Sequence, residues 1–149
     1  MGKKAMRVML DTNVLVSAFI FHGKHIQKLI DILTEYHTIV LSSYILHELK
    51  EVIKEKFLSK YTDLDKFLTN LPFELVYAPD TLDSKKYPAM RDLDDLPVLA
   101  TAIIEGVDIL LTGDKDFEGL ALEIPEILTP AQFIAKYHDG IRKRECIKG

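Results

Sequence analysis

One cysteine, Cys146, stands alone in a chain of 149 residues. Without a partner it makes no intrachain disulfide and no thiolate zinc site, which suits a reducing, cytoplasmic setting. The five histidines, at 22, 25, 37, 47 and 138, supply no zinc pattern. His22 and His25 are close but lack a third ligand and read as surface residues. There is no GxGxxG or Walker loop, and no serine sits in a GxSxG elbow. No apolar run is long enough to span a bilayer. The run after Lys3 and Lys4 stops at Asp11, too short for a signal-peptide core. A surplus of positive charge is missing too: the formal net charge is −4, so no global basic field announces nucleic acid. That does not exclude RNA, because an acidic metal site lowers the count and bound cations restore charge locally. Asn and Gln are scarce beside Lys, a composition that leans towards a thermophilic source.

Hydrophobic residues make up 48% and charged residues 28% of the chain, ordinary values for a globular protein, and the length fits one domain with a real core. The chain is organised around Val8–Val16, where a short apolar run ends in Asp11 and a helix-like segment follows at once. Such a run reads as a buried strand, Met6–Leu10. Asn13–Phe21 is a short helical stretch broken at Gly23, and Ile26–Tyr36 resumes a helical pattern with Ile26, Leu29, Ile30 and Leu33 on one face. Thr38–Leu41 is the second strand. Ser42 or Ser43 then caps a helix to about Phe57 with Ile45, Leu49, Val52 and Ile53 on its buried side. Thr62 or Asp63 caps a helix over Leu64–Leu71, Phe73–Tyr77 is a third strand, and Thr81–Pro88 is a polar loop. A strong helix covers Leu96–Glu105 and ends at Gly106 as a C′ residue. Ile109–Thr112 and Glu126–Leu128 are the last strands, and Thr129-Pro130 opens the final helix. Strands and helices alternate throughout. The expectation is a single-domain α/β protein, a three-layer α/β/α sandwich on a central parallel sheet, spanning residues 1–137 with a polar, basic tail at 138–149.

Acids recur where strands end. A buried carboxylate is costly without a cation or donors to meet it, and open α/β sheets bind ligands at the carboxyl ends of their strands. Asp11 ends the first strand; it reads either as an N-cap or as a metal ligand, with Thr12 and Asn13 as supporting hydrogen-bonding groups. Glu48 shares the apolar side of its helix with Ile45 and Val52, whereas Glu51 and Glu55 lie among Lys50, Lys54 and Lys56 on a solvated face. Asp92, Asp94 and Asp95 precede the Leu96 helix, where the dipole favours acids. Crowded carboxylates nonetheless repel unless a cation relieves them, and Asp95, four before Leu99, is the best placed to point inward. Asp114 and Asp116 follow Leu111-Thr112-Gly113, and Asp114 ranks first because it is nearer the strand end; an Asx-turn is the alternative. Thr112 is a natural hydrogen-bond partner for the group. Oxygen-only ligands favour Mg²⁺ or Mn²⁺ over zinc, and a carboxylate-held ion with open positions suits phosphodiester hydrolysis.

These residues also resemble a known family. Leu10-Asp11-Thr12-Asn13-Val14-Leu15, Ser43 with Glu48, Asp95 ahead of Ala100 and Ala102, and Leu111-Thr112-Gly113-Asp114-Lys115-Asp116-Phe117 together look like the PIN domain. Ile127–Phe133 is similar to that family's final strand and helix, so the likeness runs over about residues 6–137. The resemblance implies a metal-dependent ribonuclease with Asp11, Glu48, Asp95 and Asp114 as catalytic and metal-binding acids and Asp116 adjoining, and leaves open whether Asp92 or Asp94 takes part. The small single-domain form is similar to VapC-type toxins of prokaryotic toxin–antitoxin pairs. That likeness implies an RNA substrate, an antitoxin protein partner and a homodimer or higher homo-oligomer. Charge alone suggests Lys85, Lys86, Arg91 or Arg142-Lys143-Arg144 as holders of an RNA backbone. Two other readings remain open: a PIN-like scaffold that binds RNA or protein without cutting, and a receiver-like phospho-acceptor domain, for which Lys115 is a weak lysine candidate.

Overall fold

In the computed structural model, which describes residues 5–120 and 122–138, five short strands form one parallel sheet. The strands are β1 (Arg7–Leu10), β2 (Thr38–Ser42), β3 (Glu74–Val76), β4 (Ile109–Leu111) and β5 (Glu126–Leu128). Their order is β3-β2-β1-β4-β5, and every neighbouring pair is parallel. β1 is central because its residues Val8, Met9 and Leu10 are wholly buried, with helices on both sides of the sheet. The same holds for Val40 and Leu41 of β2 and Leu110 and Leu111 of β4. Continuous apolar runs of this kind are what a parallel sheet covered on both faces demands.

Among the described residues there are six α-helices: α1 (Thr12–Val16), α2 (Lys24–Tyr36), α3 (Ser43–Lys56), α4 (Tyr61–Asn70) and α5 (Leu96–Ile104) lie between strands, and α6 (Pro130–Phe133) follows β5. α3 packs against α1, α4 and α5, while α2 packs against α6, so the sheet lies between two helical layers. The expected α/β/α sandwich is what the chain forms. α3 presents Ile45, Leu49 and Ile53 to the core, all wholly buried. The Ser42 hydroxyl caps it by accepting from the Ile45 amide at 3.1 Å. Thr129 and Gln132 close a reciprocal capping box on α6, with Pro130 at its first position. Gly106 ends α5 at φ 63°, a conformation that glycine adopts without the Cβ clash.

Some boundaries differ from the sequence reading. α2 starts at Lys24 rather than Ile26, because extended Gly23 takes the N-cap position and the first turn is polar. α4 starts at Tyr61 and is capped by neither Thr62 nor Asp63. The chain enters it directly from a 3₁₀ turn at Leu58–Lys60, so no side-chain cap is needed. The loop expected over 81–88 contains a 3₁₀ turn at Ser84–Lys86, where the Asp83 carboxylate accepts from the Lys85 amide at 3.1 Å. The tail from Asp139 to Gly149, with Arg142-Lys143-Arg144 and Cys146, lies outside the described residues.

The strand order creates a crevice. β1 connects to β2 on one side, and the chain later returns to β4 on the other, so the order reverses between β1 and β4. That reversal opens the sheet's surface at the carboxyl ends of the two strands, the usual ligand position in open α/β sheets. The same order departs from the 2-1-3-4-5 arrangement of receiver-like domains, which removes that reading.

Candidate metal centre

Asp11 leaves the end of β1 at the mouth of this crevice and is only 6% exposed. Both of its oxygens are held. Oδ1 accepts from the Thr12 amide at 2.8 Å, capping α1, and Oδ2 accepts from the Thr112 hydroxyl at 2.7 Å. The carboxylate that caps α1 is therefore also tied to the end of β4. Thr112, next after β4, also accepts from the Asp114 amide at 3.0 Å, so one buried hydroxyl ties the ends of β1 and β4 together. Thr12 donates its hydroxyl to Glu48 of α3. Glu48 is half buried beside wholly buried Leu49, as its place on the helix requires.

Asp94 and Asp95 lie in a 3₁₀ turn, Leu93–Asp95, that leads into α5. The Asp92 carboxylate caps it by accepting from the Asp94 amide at 2.9 Å. The same device recurs at Asp114, whose carboxylate accepts from the Asp116 amide at 2.9 Å and sets the turn Lys115–Phe117. The two turns bring Asp92, Asp95 and Asp116 together: one carboxylate oxygen of each lies within 4.8 Å of the others. Asp116, ranked behind Asp114 from the sequence, is thus the member of its pair that meets Asp95 in this triad. Asp114 stands close by, since it is the strongest of the charged neighbours acting on Asp95. Asp94 is exposed and turns only its carbonyl inward, where it accepts from the Tyr44 hydroxyl at 3.0 Å. Asn13 is exposed, and its side chain makes no hydrogen bond to these acids among the described residues. Lys85, Lys86 and Arg91 are exposed.

The electrostatics follow from this crowding. Burial is the first cause that pushes the Asp11 carboxyl above its ordinary range; the bonds from Thr112 and Thr12 oppose it, and Glu48 and Asp114 add to it. Asp95 is pushed up to about 7, by burial first and then by Asp114, Asp11, Asp92 and Asp116. Its Oδ2 is buried without a hydrogen-bond partner. Among the described residues, no lysine or arginine pairs with any of these acids. A carboxylate oxygen that is buried, unpaired and surrounded by like charge fits a divalent cation. The all-oxygen donor set matches a hard ion of the Mg²⁺ or Mn²⁺ kind.

Tyr44 is the participant that the sequence reading missed. It sits one turn before Glu48 on α3, at i and i+4, so the two share a face. Burial raises its hydroxyl pKa, and Glu48, Asp94, Asp95 and Asp92 raise it further. The spacing to Glu48 was the available signal.

Comparison with known proteins agrees with this fold. The PIN domain family matches over residues 7–116. Among solved structures, a chain in the crystal structure of VapBC2 from Rickettsia felis, bound to a DNA fragment from their promoter, superposes with a TM-score of 0.64 at 23% identity. The alignment covers 83% of this chain and 98% of that one. Comparison with curated proteins gives no significant match.

Proposed function

This chain belongs to the PIN domain family, and from that premise we propose that it is a divalent-metal-dependent endoribonuclease of the VapC toxin type. The observation that carries the reading is the buried, unpartnered Asp95 oxygen within an acid cluster that no basic side chain pairs with among the described residues. Asp11, Glu48, Asp95, Asp114 and Asp116 are the residues to hold one or two Mg²⁺ or Mn²⁺ ions, with Asp92 at the rim. When bound, such an ion supplies Lewis acidity towards a phosphate and lowers the pKa of an attacking water.

The chain's own contribution is orientation. Thr112 fixes the Asp11 carboxylate and the start of the Asp114 turn through one hydroxyl, and Thr12 ties Glu48 to the start of α1. Tyr44 pins the turn that carries Asp95 to the first turn of α3. Because Asp11 and Asp95 hold protons more tightly than free aspartates, cation binding is coupled to proton release. Lys85, Lys86 and Arg91 are the exposed cations proposed to hold an RNA backbone. The structural neighbour is part of VapBC2 on promoter DNA; by analogy, an antitoxin protein and a homodimeric state are proposed for this chain.

The test is cleavage of a mixed-sequence single-stranded RNA with Mg²⁺, Mn²⁺ or EDTA, wild type beside Asp11→Asn. The expected result is metal-dependent cutting that falls at least about a hundredfold in the variant, with the circular dichroism spectrum unchanged. Full activity in Asp11→Asn overturns the site. Metal binding by wild type without any cutting points to the scaffold reading instead.

A further inference from the structure

A hollow of about 560 Å³ opens beside the acids, and three of its lining residues, Thr112, Gly113 and Asp114, belong to the candidate site itself. It extends over the carboxyl end of β5 to the start of α6 and is closed on the far side by the segment that carries Glu118, Leu122 and Glu123. Neighbouring strands lie about 5 Å apart, so a group in this hollow sits one or two strand spacings from a phosphate placed over β1 and β4. That is the reach of a base from its own backbone phosphate. The volume is that of a small-ligand pocket.

Its lining selects the ligand chemistry. Among the described residues no lysine or arginine lines it, so none of their side chains there offers a second phosphate a cation. Half-buried Leu120, Leu122 and Ile127 offer apolar contact to a flat ring. Its polar side chains are mostly carboxylates, and two of these are uncommitted among the described residues. Glu126 is engaged by Lys136 and Tyr137, and Gln132 by the capping box with Thr129. The side chains of Glu118 and Glu123 are exposed and make no intramolecular hydrogen bond or ion pair among the described residues. Space is open at Gly113, between the acids and the hollow, where a Cβ would meet nothing within 4 Å.

We infer that this hollow is a nucleobase pocket for an amino-bearing base, guanine above all, adjoining the phosphate that the acids hold. The inference deepens the nuclease reading and rests on it. Guanine presents N1–H and N2–H side by side, which one carboxylate accepts as a pair; adenine and cytosine present an amino group; uracil presents a single N3–H between two carbonyls that a carboxylate repels. The pocket thus makes the cut base-selective, through Glu118 or Glu123, without altering the acids that perform it.

The experiment has two arms. In the first, wild type, Glu118→Gln, Glu123→Gln and the double variant cut a random-sequence single-stranded RNA with Mn²⁺, and the product ends are sequenced. Guanine is expected at one fixed position beside the cut, at least about fivefold over uracil, and at least one variant should bring that ratio below about twofold while cutting of the pool persists. A fivefold preference that survives in the double variant, or no preference in wild type that cuts, overturns the pocket. In the second arm, guanosine and uridine are titrated into the wild-type protein and followed by amide chemical shifts. Guanosine binding at least about fivefold tighter, with shifts centred on 117–128, supports the pocket; equal or absent binding overturns it. Absence of cutting with guanosine-selective binding retained overturns the nuclease reading alone, so the two failures are distinguishable.

Discussion

Replacing Asp95 by asparagine should make the metal-free protein more stable. Asp95 holds its proton up to a pH of about 7, against about 3.9 for a free aspartate, a difference of at most about 4 kcal/mol once both states are ionised. Asp95 is half buried, and solvent screening reduces the realistic figure to about 1–2 kcal/mol. The sign follows from linkage: the folded state binds this proton more tightly, so the stabilisation is complete below about pH 4 and is lost as pH rises through about 7. Asp95 makes no side-chain cap bond to α5, so asparagine removes the charge without removing a cap. At pH 8 in EDTA, Asp95→Asn should melt roughly 3–6 °C above wild type for a chain of this size. At pH 5 the gap should shrink towards zero. Millimolar Mg²⁺ should raise the wild-type Tm and leave the variant nearly unmoved, since only the intact cluster gains by mass action. Thermal melts by circular dichroism across this grid are sufficient. A variant that melts below wild type at pH 8 in EDTA refutes the claim that the acids are mutually repelling in the cation-free state.

Thr112→Val should destabilise the fold by about 2 kcal/mol, because a buried carboxylate loses a charge-assisted donor and the Asp114 amide loses its acceptor; Thr112→Ser should recover most of this in a urea melt, and equal losses in the two variants would point to the methyl group instead. Arg7→Ala acts at the opposite end of the sheet, where the guanidinium bonds Glu74 at 2.7 and 3.1 Å and also donates to the Glu105 carbonyl. It should cost about 1 kcal/mol, less at high salt, and leave the RNA cutting rate within about twofold; a larger kinetic effect would mean that the amino end of the sheet influences the site. Tyr44→Phe removes the bond to the Asp94 carbonyl and should weaken Mn²⁺ binding severalfold by calorimetry at a stability cost near 1 kcal/mol. Unchanged Mn²⁺ affinity would leave Tyr44 a packing residue.

The elements were legible because most strands are short apolar runs stopped by a polar residue, and the main helices α2 and α3 keep an apolar stripe. Wholly buried Val8–Leu10 and Leu110–Leu111 are the clearest cases. What periodicity cannot register is a segment shorter than one turn of repeat. The turns at Ser84–Lys86, Leu93–Asp95 and Lys115–Phe117 are of that length. Each is set instead by one carboxylate, of Asp83, Asp92 or Asp114, accepting from the amide two residues on. A capping reading of those aspartates contains the turn, but not the direction in which the next acid points. That is why Asp116 ranked below Asp114 from the sequence, although its carboxylate is the one that meets Asp95 and Asp92.

The same limit explains the two readings of Asp11. From the sequence, cap and ligand compete, since one carboxylate was asked to do one thing. In the fold the two oxygens of Asp11 are held separately. Oδ1 is committed to the Thr12 amide at the start of α1, which fixes the position of the group. Oδ2 takes the hydroxyl of Thr112, which is 101 residues away in the chain and adjacent only because β1 pairs with β4. An isolated cap would leave the second oxygen to water. Here it is buried and tied to the strand that also delivers Asp114 and Asp116, so the local rule anchors one oxygen and the topology aims the other. The acids at strand ends were therefore readable one by one. Their convergence depended on the reversal of strand order between β1 and β4, which no local pattern encodes.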